Sequence, residues 1–152
     1  ENKGQSQEGK INDYATPKSA WNSITDYLPK NKICYEPFYL DGGSGKILKE
    51  LGINVIHKPI DFYENGEKFD YILTNPPFQN CKKLFTYLPE INITFNTFGD
   101  KNLQLIIPRR RIHYIKYENG KPVPNWKPLT PFDSIFYCYK MNLPKDIIFL
   151  KK

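Results

Sequence analysis

The sequence predicts an α/β fold built on a mostly parallel sheet, and three observations carry that expectation. An apolar run over residues 33–38 leads into a glycine-rich turn, Leu40-Asp41-Gly42-Gly43-Ser44-Gly45, then a helical stretch, then a second short strand-like run, Asn54-Val55-Ile56-His57. Strand, turn, helix and strand in that order open a parallel α/β sheet. Further strand-like segments follow at 69–74, 103–107 and 134–139, rich in β-branched and aromatic residues. The two most informative short motifs, at 36–45 and 74–78, both stand at strand ends, where sheets of this kind bind ligands.

Each element has a local reason. Residues 1–12 are mostly polar and predict a frayed end. Thr16-Pro17 predicts a helix start, with Thr as cap and Pro at the first helical position. Ala20, Trp21, Ile24 and Leu28 then fall at helical spacing until Pro29 stops the run. A second helix is expected over 46–51, closed by Gly52, and a third over 82–88. Ile91-Asn92-Ile93-Thr94 predicts one more strand, yet the step from Ile93 to Leu103 is too short for a crossover of about a dozen residues. The proline-rich stretch 120–131 is expected to be a loop. With 152 residues and no internal repeat, one domain spanning 1–152 is expected, without a separate target-recognition domain.

Composition narrows the class. A hydrophobic share of 39% is that of a globular chain and not of a disordered one. No apolar run approaches the roughly 18 residues that a membrane span needs, and the N-terminus shows no signal-peptide core. An intracellular location, cytoplasmic or nuclear, is therefore expected. Cys34, Cys81 and Cys138 are widely spaced and odd in number, which predicts buried small hydrophobes and neither a disulfide framework nor a metal site. The net charge of +6 is uneven. Residues 1–100 carry 11 lysines and 13 acidic residues, whereas 101–152 carry 8 lysines, all 3 arginines and only 3 acidic residues. A basic end on a near-neutral body predicts a polyanionic partner, nucleic acid first. The run Arg109-Arg110-Arg111 is the expected contact with its phosphates, and strand alternation would turn Arg110 away from the other two.

The chemistry is carried by short motifs. In Asn75-Pro76-Pro77-Phe78 two prolines fix the backbone. The turn can then aim two neutral acceptors, the Asn75 side chain and the Pro76 carbonyl, at one amino group. Accepting both amine hydrogens favours a pyramidal nitrogen with a free lone pair, and Phe78 offers a face on which a flipped base can stack. In Glu36-Pro37-Phe38-Tyr39-Leu40-Asp41-Gly42-Gly43-Ser44-Gly45, glycines allow close backbone approach. The lysine and hydroxyl residue of a phosphate loop are missing after it. An acidic strand end beside glycines suits a cationic, amino-acid-bearing ligand, met by Glu36 or Asp41. Asp61-Phe62 can accept from an adenine amine and cover its ring, although the pair by itself reads more simply as a surface turn.

Taken with Tyr14-Ala15-Thr16-Pro17 and Trp21, these motifs resemble the amino-methyltransferases of DNA, in the order of the adenine-specific group, including compact enzymes of phages and large viruses. The resemblance is best over 14–78. It implies a Rossmann-like methyltransferase fold with a C-terminal antiparallel strand, and S-adenosylmethionine as cofactor. By that resemblance Tyr14, Thr16 and Pro17 border the cofactor, and Glu36, Phe38, Gly43 and Gly45 form its main pocket, with Asp41 beside them. Asp61 and Phe62 flank its adenine, while Asn75, Pro76, Pro77 and Phe78 handle the target base. The implied reaction is methyl transfer to the exocyclic amine of adenine in DNA. The alternatives are RNA adenine, the cytosine amine, or a non-catalytic nucleic-acid-binding subunit. DNA is the expected partner; a homodimer or a specificity subunit is compatible with the chain. One departure stands out: the family carries an acid at the end of the second strand, where this chain has His57-Lys58-Pro59.

Overall fold

The computed structural model describes residues 13–61, 64–75, 103–124 and 134–151. In chain order the elements begin with β1 (Asp13–Ala15), α1 (Lys18–Ser23), a 3-10 turn (Thr25–Tyr27), β2 (Ile33–Tyr35), α2 (Gly43–Glu50), β3 (Asn54–Ile56) and β4 (Tyr71–Thr74). They continue with β5 (Leu103–Ile107), β6 (Ile115–Glu118), β7 (Lys121–Pro122), β8 (Phe136–Tyr139) and β9 (Ile147–Phe149). Among the described residues the main sheet has six strands in the order β3-β2-β4-β8-β5-β9. The fold of the described residues is thus mixed α/β, with a core made mostly of sheet and with few helices.

Strand directions decide where a site can form. β2 runs parallel to both β3 and β4, and β5 runs parallel to β9. β8 is antiparallel to β4 and to β5. Two reversals cancel, so β2, β3, β4, β5 and β9 all point the same way and deliver their carboxyl ends to one edge. The antiparallel strand expected in the C-terminal third exists as β8, but it is central, and a further parallel strand, β9, closes the sheet.

The core follows from these directions. β4 is buried along its whole length, as a strand covered on both faces should be. Trp21 is 1% exposed and packs its ring against Phe136 at 5.5 Å between centroids. Ile24, Leu48, Leu73, Tyr71, Ile106, Cys34 and Cys138 are among the other fully buried side chains. Burial pushes the Cys34 thiol up to about 12, so it stays a protonated small hydrophobe at neutral pH. Gln104, the buried polar residue of β5, donates to the Leu143 carbonyl at 3.0 Å and accepts from the Leu143 N–H at 2.7 Å. That reciprocal clamp holds the turn that feeds β9.

Several local expectations are corrected. The Thr16 cap is not used: Pro17 occupies the cap position of α1, and its carbonyl accepts from Ala20 and Trp21. The second helix starts three residues early, at Gly43, inside the glycine turn. Gly52 closes it with φ +81°, as expected. The stretch 120–131 is not all loop, because Lys121–Pro122 pairs with β6 and builds a small sheet, β1-β6-β7. The expectations over 1–12, 82–88 and 91–94 lie outside the described residues. Among the described residues, no helix is long and apolar enough to cross a membrane.

Candidate functional site

The site is built where the carboxyl ends of β2, β3 and β4 meet. Thr74, the last residue of β4, is buried and donates its hydroxyl to Glu36 Oε1 at 3.1 Å. The Phe38 N–H donates to the same oxygen at 3.2 Å. Glu36 itself is 3% exposed. A carboxylate at such depth needs partners, because a buried polar group left unmatched costs about 1–3 kcal/mol.

Its second oxygen meets an unforeseen partner. His57 follows β3 directly, and its Nδ1 lies 2.8 Å from the Glu36 backbone carbonyl and 2.8 Å from Glu36 Oε2. Nδ1 has one hydrogen for two equidistant oxygens, so the carbonyl and Oε2 share a single donor. Burial opposes charge on the ring, but the Glu36 carboxylate outweighs it and holds the imidazole above its ordinary range. The Tyr39 ring lies beside His57, with centroids 5.0 Å apart and planes at 33°.

The glycine turn is strained and tied down. Leu40 takes φ 48° and Gly42 φ 79°. The first costs a side-chain-bearing residue about 1–2 kcal/mol, the kind of strain that gathers at ligand-holding loops. The Gly42 N–H donates to the Tyr39 carbonyl at 2.8 Å. A Cβ at Gly42 would meet the Tyr39 hydroxyl at 2.8 Å, and one at Gly45 would meet His57 Cδ2 at 2.6 Å. Both close approaches are therefore used by the chain's own rings.

Asp41 links this turn to the small sheet. Its Oδ1 accepts from the Gly43 N–H at 2.8 Å and its Oδ2 from the Tyr117 hydroxyl at 2.5 Å. Burial works against its charge, but those two bonds outweigh it and hold the carboxyl below the usual range. The same bond pushes Tyr117 up to about 12. Asp41 is exposed, so its charge stands open to a cationic ligand. Tyr117→Phe should lower stability by about 1 kcal/mol at neutral pH, screening included. A depressed carboxyl pKa contributes above its unfolded value and is lost as pH falls. Urea unfolding of the two proteins should therefore converge below about pH 4. A difference that persists at low pH would place the effect elsewhere.

Tyr114 gathers the remaining motifs. It accepts a short hydrogen bond from Asn75 Nδ2. Burial keeps its hydroxyl above its ordinary range and so protonated. Its ring meets Tyr14 edge-on, 6.2 Å between centroids. Tyr14 in turn is fixed by the pairing of β1 with β6, opposite Lys116. With Nδ2 committed, Asn75 Oδ1 remains as the acceptor of that amide.

The expected residues are thus unevenly gathered. Glu36, Phe38, Asp41, Gly43 and Gly45 form one contiguous group, and Tyr14 and Asn75 meet through Tyr114. Thr16 is buried behind β1, and Pro17 caps α1. Asp61 lies on an exposed turn, where its backbone carbonyl accepts from the Glu64 N–H at 2.9 Å. Phe62, Pro76, Pro77 and Phe78 lie outside the described residues. Arg109, Arg110 and Arg111 are not on a strand: β5 ends at Ile107, and all three are exposed in the segment that leads to Tyr114. The alternation expected of them therefore fails. Together with Ser19 and Ser23 of α1 they line a cleft of about 170 Å³. Arg109 also donates to the Lys151 carbonyl at 2.9 Å.

The sequence reading gave no site role to His57, Thr74, Tyr114 or Tyr117. A signal existed for one of them: Asn119-Gly120 between Tyr117-Glu118 and Lys121-Pro122 is the two-residue hairpin pattern that places Tyr117 on a strand. No protein family, curated protein or solved structure matches the chain.

Proposed function

We propose that this chain is an S-adenosylmethionine-dependent methyltransferase with a Rossmann-like methyltransferase fold, acting on the exocyclic amine of adenine in DNA. The observation that carries the reading is the convergence of the two motifs at adjacent residues of one strand end. Thr74 holds Glu36 of the acidic glycine motif, and Asn75 beside it presents a neutral acceptor. The arrangement suits a cationic amino-acid group on one side and a target amine on the other. The exposed, ionised Asp41 adds a second negative charge to the same motif. The bound cofactor supplies the methyl group. Asn75 Oδ1 accepts from the amine and orients its lone pair, and the Pro76 carbonyl is assigned the second hydrogen. Arg109, Arg110 and Arg111 sit at the same sheet edge, at the end of β5, and are assigned to the phosphate backbone.

A second reading, a non-catalytic nucleic-acid-binding subunit, is favoured by one observation: His57 covers Gly45. Transfer of labelled methyl to duplex DNA, single-stranded DNA and RNA of matched sequence tests both. Label on duplex DNA, located on the adenine amine, is the expected result. Label on RNA alone moves the substrate class, and label on nothing favours the subunit.

A further inference from the structure

We propose that Glu36 and His57 form a latch over the Gly45 cradle, and that a ligand bearing an ammonium group enters by taking Glu36 from the imidazole. This rests on reading the cleft as the cofactor site. The empty Cβ position of Gly45 is filled to 2.6 Å by His57 Cδ2, so the chain's own ring sits where glycine leaves space for a ligand. Tyr39 flanks that ring, 5.0 Å away. Glu36 Oε2 shares one Nδ1 hydrogen with its own backbone carbonyl, 2.8 Å to each, and an ammonium can give it a full hydrogen bond of its own. Glu36 Oε1 keeps Thr74 and Phe38 throughout, so the carboxylate stays in place whichever cation holds its other oxygen.

The ring is buried, its side chain 2% exposed, so opening the latch means rotating it out from between Tyr39 and Gly45. β3 ends at Ile56, so His57 itself lies just beyond the strand. The titratable groups on the elements around it are Cys34 and Tyr35 on β2 and Glu36 just after it, Tyr39 and Asp41 in the turn, Lys46, Lys49 and Glu50 on α2, and Lys58 next in sequence. Asp41 is held by Gly43 and Tyr117, and Lys58 by Glu67 at 2.7 Å. Glu36 is the charged group in direct contact with the ring, at 2.8 Å. The charged ring grips it most strongly below the raised titration point of His57, and the latch loosens as pH rises through that point.

Calorimetric titration of the chain with S-adenosylmethionine between about pH 6 and pH 8 tests this, on the wild type and on His57→Asn. Asn keeps an N–H donor for Glu36 and removes the ring from Gly45. Affinity is reduced by the fraction of open molecules, so the variant should bind about 10-fold more tightly at the acid end. Wild-type affinity should rise with pH while the variant's stays flat. A second readout needs no change at position 57: the ring proton signals of His57, told from His113 by His113→Gln, should move when ligand saturates the protein. Equal affinity of the two proteins at every pH, or ring signals unmoved at saturation, overturns the latch and leaves the cofactor reading standing. Weaker binding by His57→Asn also overturns it and makes His57 a ligand-holding residue. No binding by either protein overturns both.

Discussion

Asn75→Ala is expected to bind S-adenosylmethionine nearly as well as the wild type while its turnover falls by about 100-fold or more. The reason lies in what each atom of the side chain does. Nδ2 is committed to the Tyr114 hydroxyl, which is buried and protonated and can only accept from it. That bond sets the rotation of the amide and leaves Oδ1 as its acceptor. On the proposed reading Oδ1 takes a hydrogen of the target amine, and this interaction strengthens as the nitrogen becomes pyramidal. An interaction made mainly in the transition state lowers kcat without a matching loss of ground-state affinity. Tyr114→Phe is the graded control. It keeps the edge-on packing with Tyr14 and removes only the oxygen that orients the amide, so its effect should be smaller. Single-turnover methyl transfer combined with calorimetry separates the two effects. Full activity in Asn75→Ala ends the assignment.

Replacing Arg109, Arg110 and Arg111 together by Ala should weaken DNA binding by about 100-fold or more near 0.1 M salt, because every phosphate that an arginine neutralises releases condensed counterions. The slope of log affinity against log salt should flatten by about 0.9 for every phosphate that is no longer neutralised. The three side chains are exposed, and they line a cleft with Ser19 and Ser23 just ahead of Tyr114 in the chain. The basic surface therefore leads directly to the residue that holds Asn75. Single substitutions should differ, since Arg109 also ties the Lys151 carbonyl and its removal loosens the C-terminal strand as well. Anisotropy titrations across salt read both numbers. An unchanged slope in the triple variant would remove the arginines from the interface.

How far the sequence could be read depended on the range of each interaction. The strands at 33–35, 54–56, 71–74, 103–107 and 136–139 were legible because β-branched and aromatic residues gather there within a few positions. The helix end at Gly52 was legible because a left-handed residue must stand there. β9 was not: Ile147-Ile148-Phe149 is a bare apolar run, and only the reciprocal Gln104–Leu143 clamp, 39 residues apart, shows why it returns beside β5. The central place of β8 was equally hidden, because pairing order is decided between strands and not within them.

The same division holds at the candidate site. The sequence by itself determined which chemical groups are available: a carboxylate before a glycine turn, an asparagine at a strand end, a run of three arginines. Each is a local pattern that neighbouring residues specify. The tertiary structure alone decided what those groups touch. Glu36 and His57 stand 21 residues apart and Asp41 and Tyr117 stand 76 apart, yet parallel pairing of β2 with β3 and a hairpin folded over the turn bring each pair to 2.8 and 2.5 Å. A lone histidine after a short strand carries no sequence signal for such a role. Its charge is governed by a carboxylate that only the sheet register brings within reach, because electrostatic coupling depends on distance through space and on burial, not on separation along the chain.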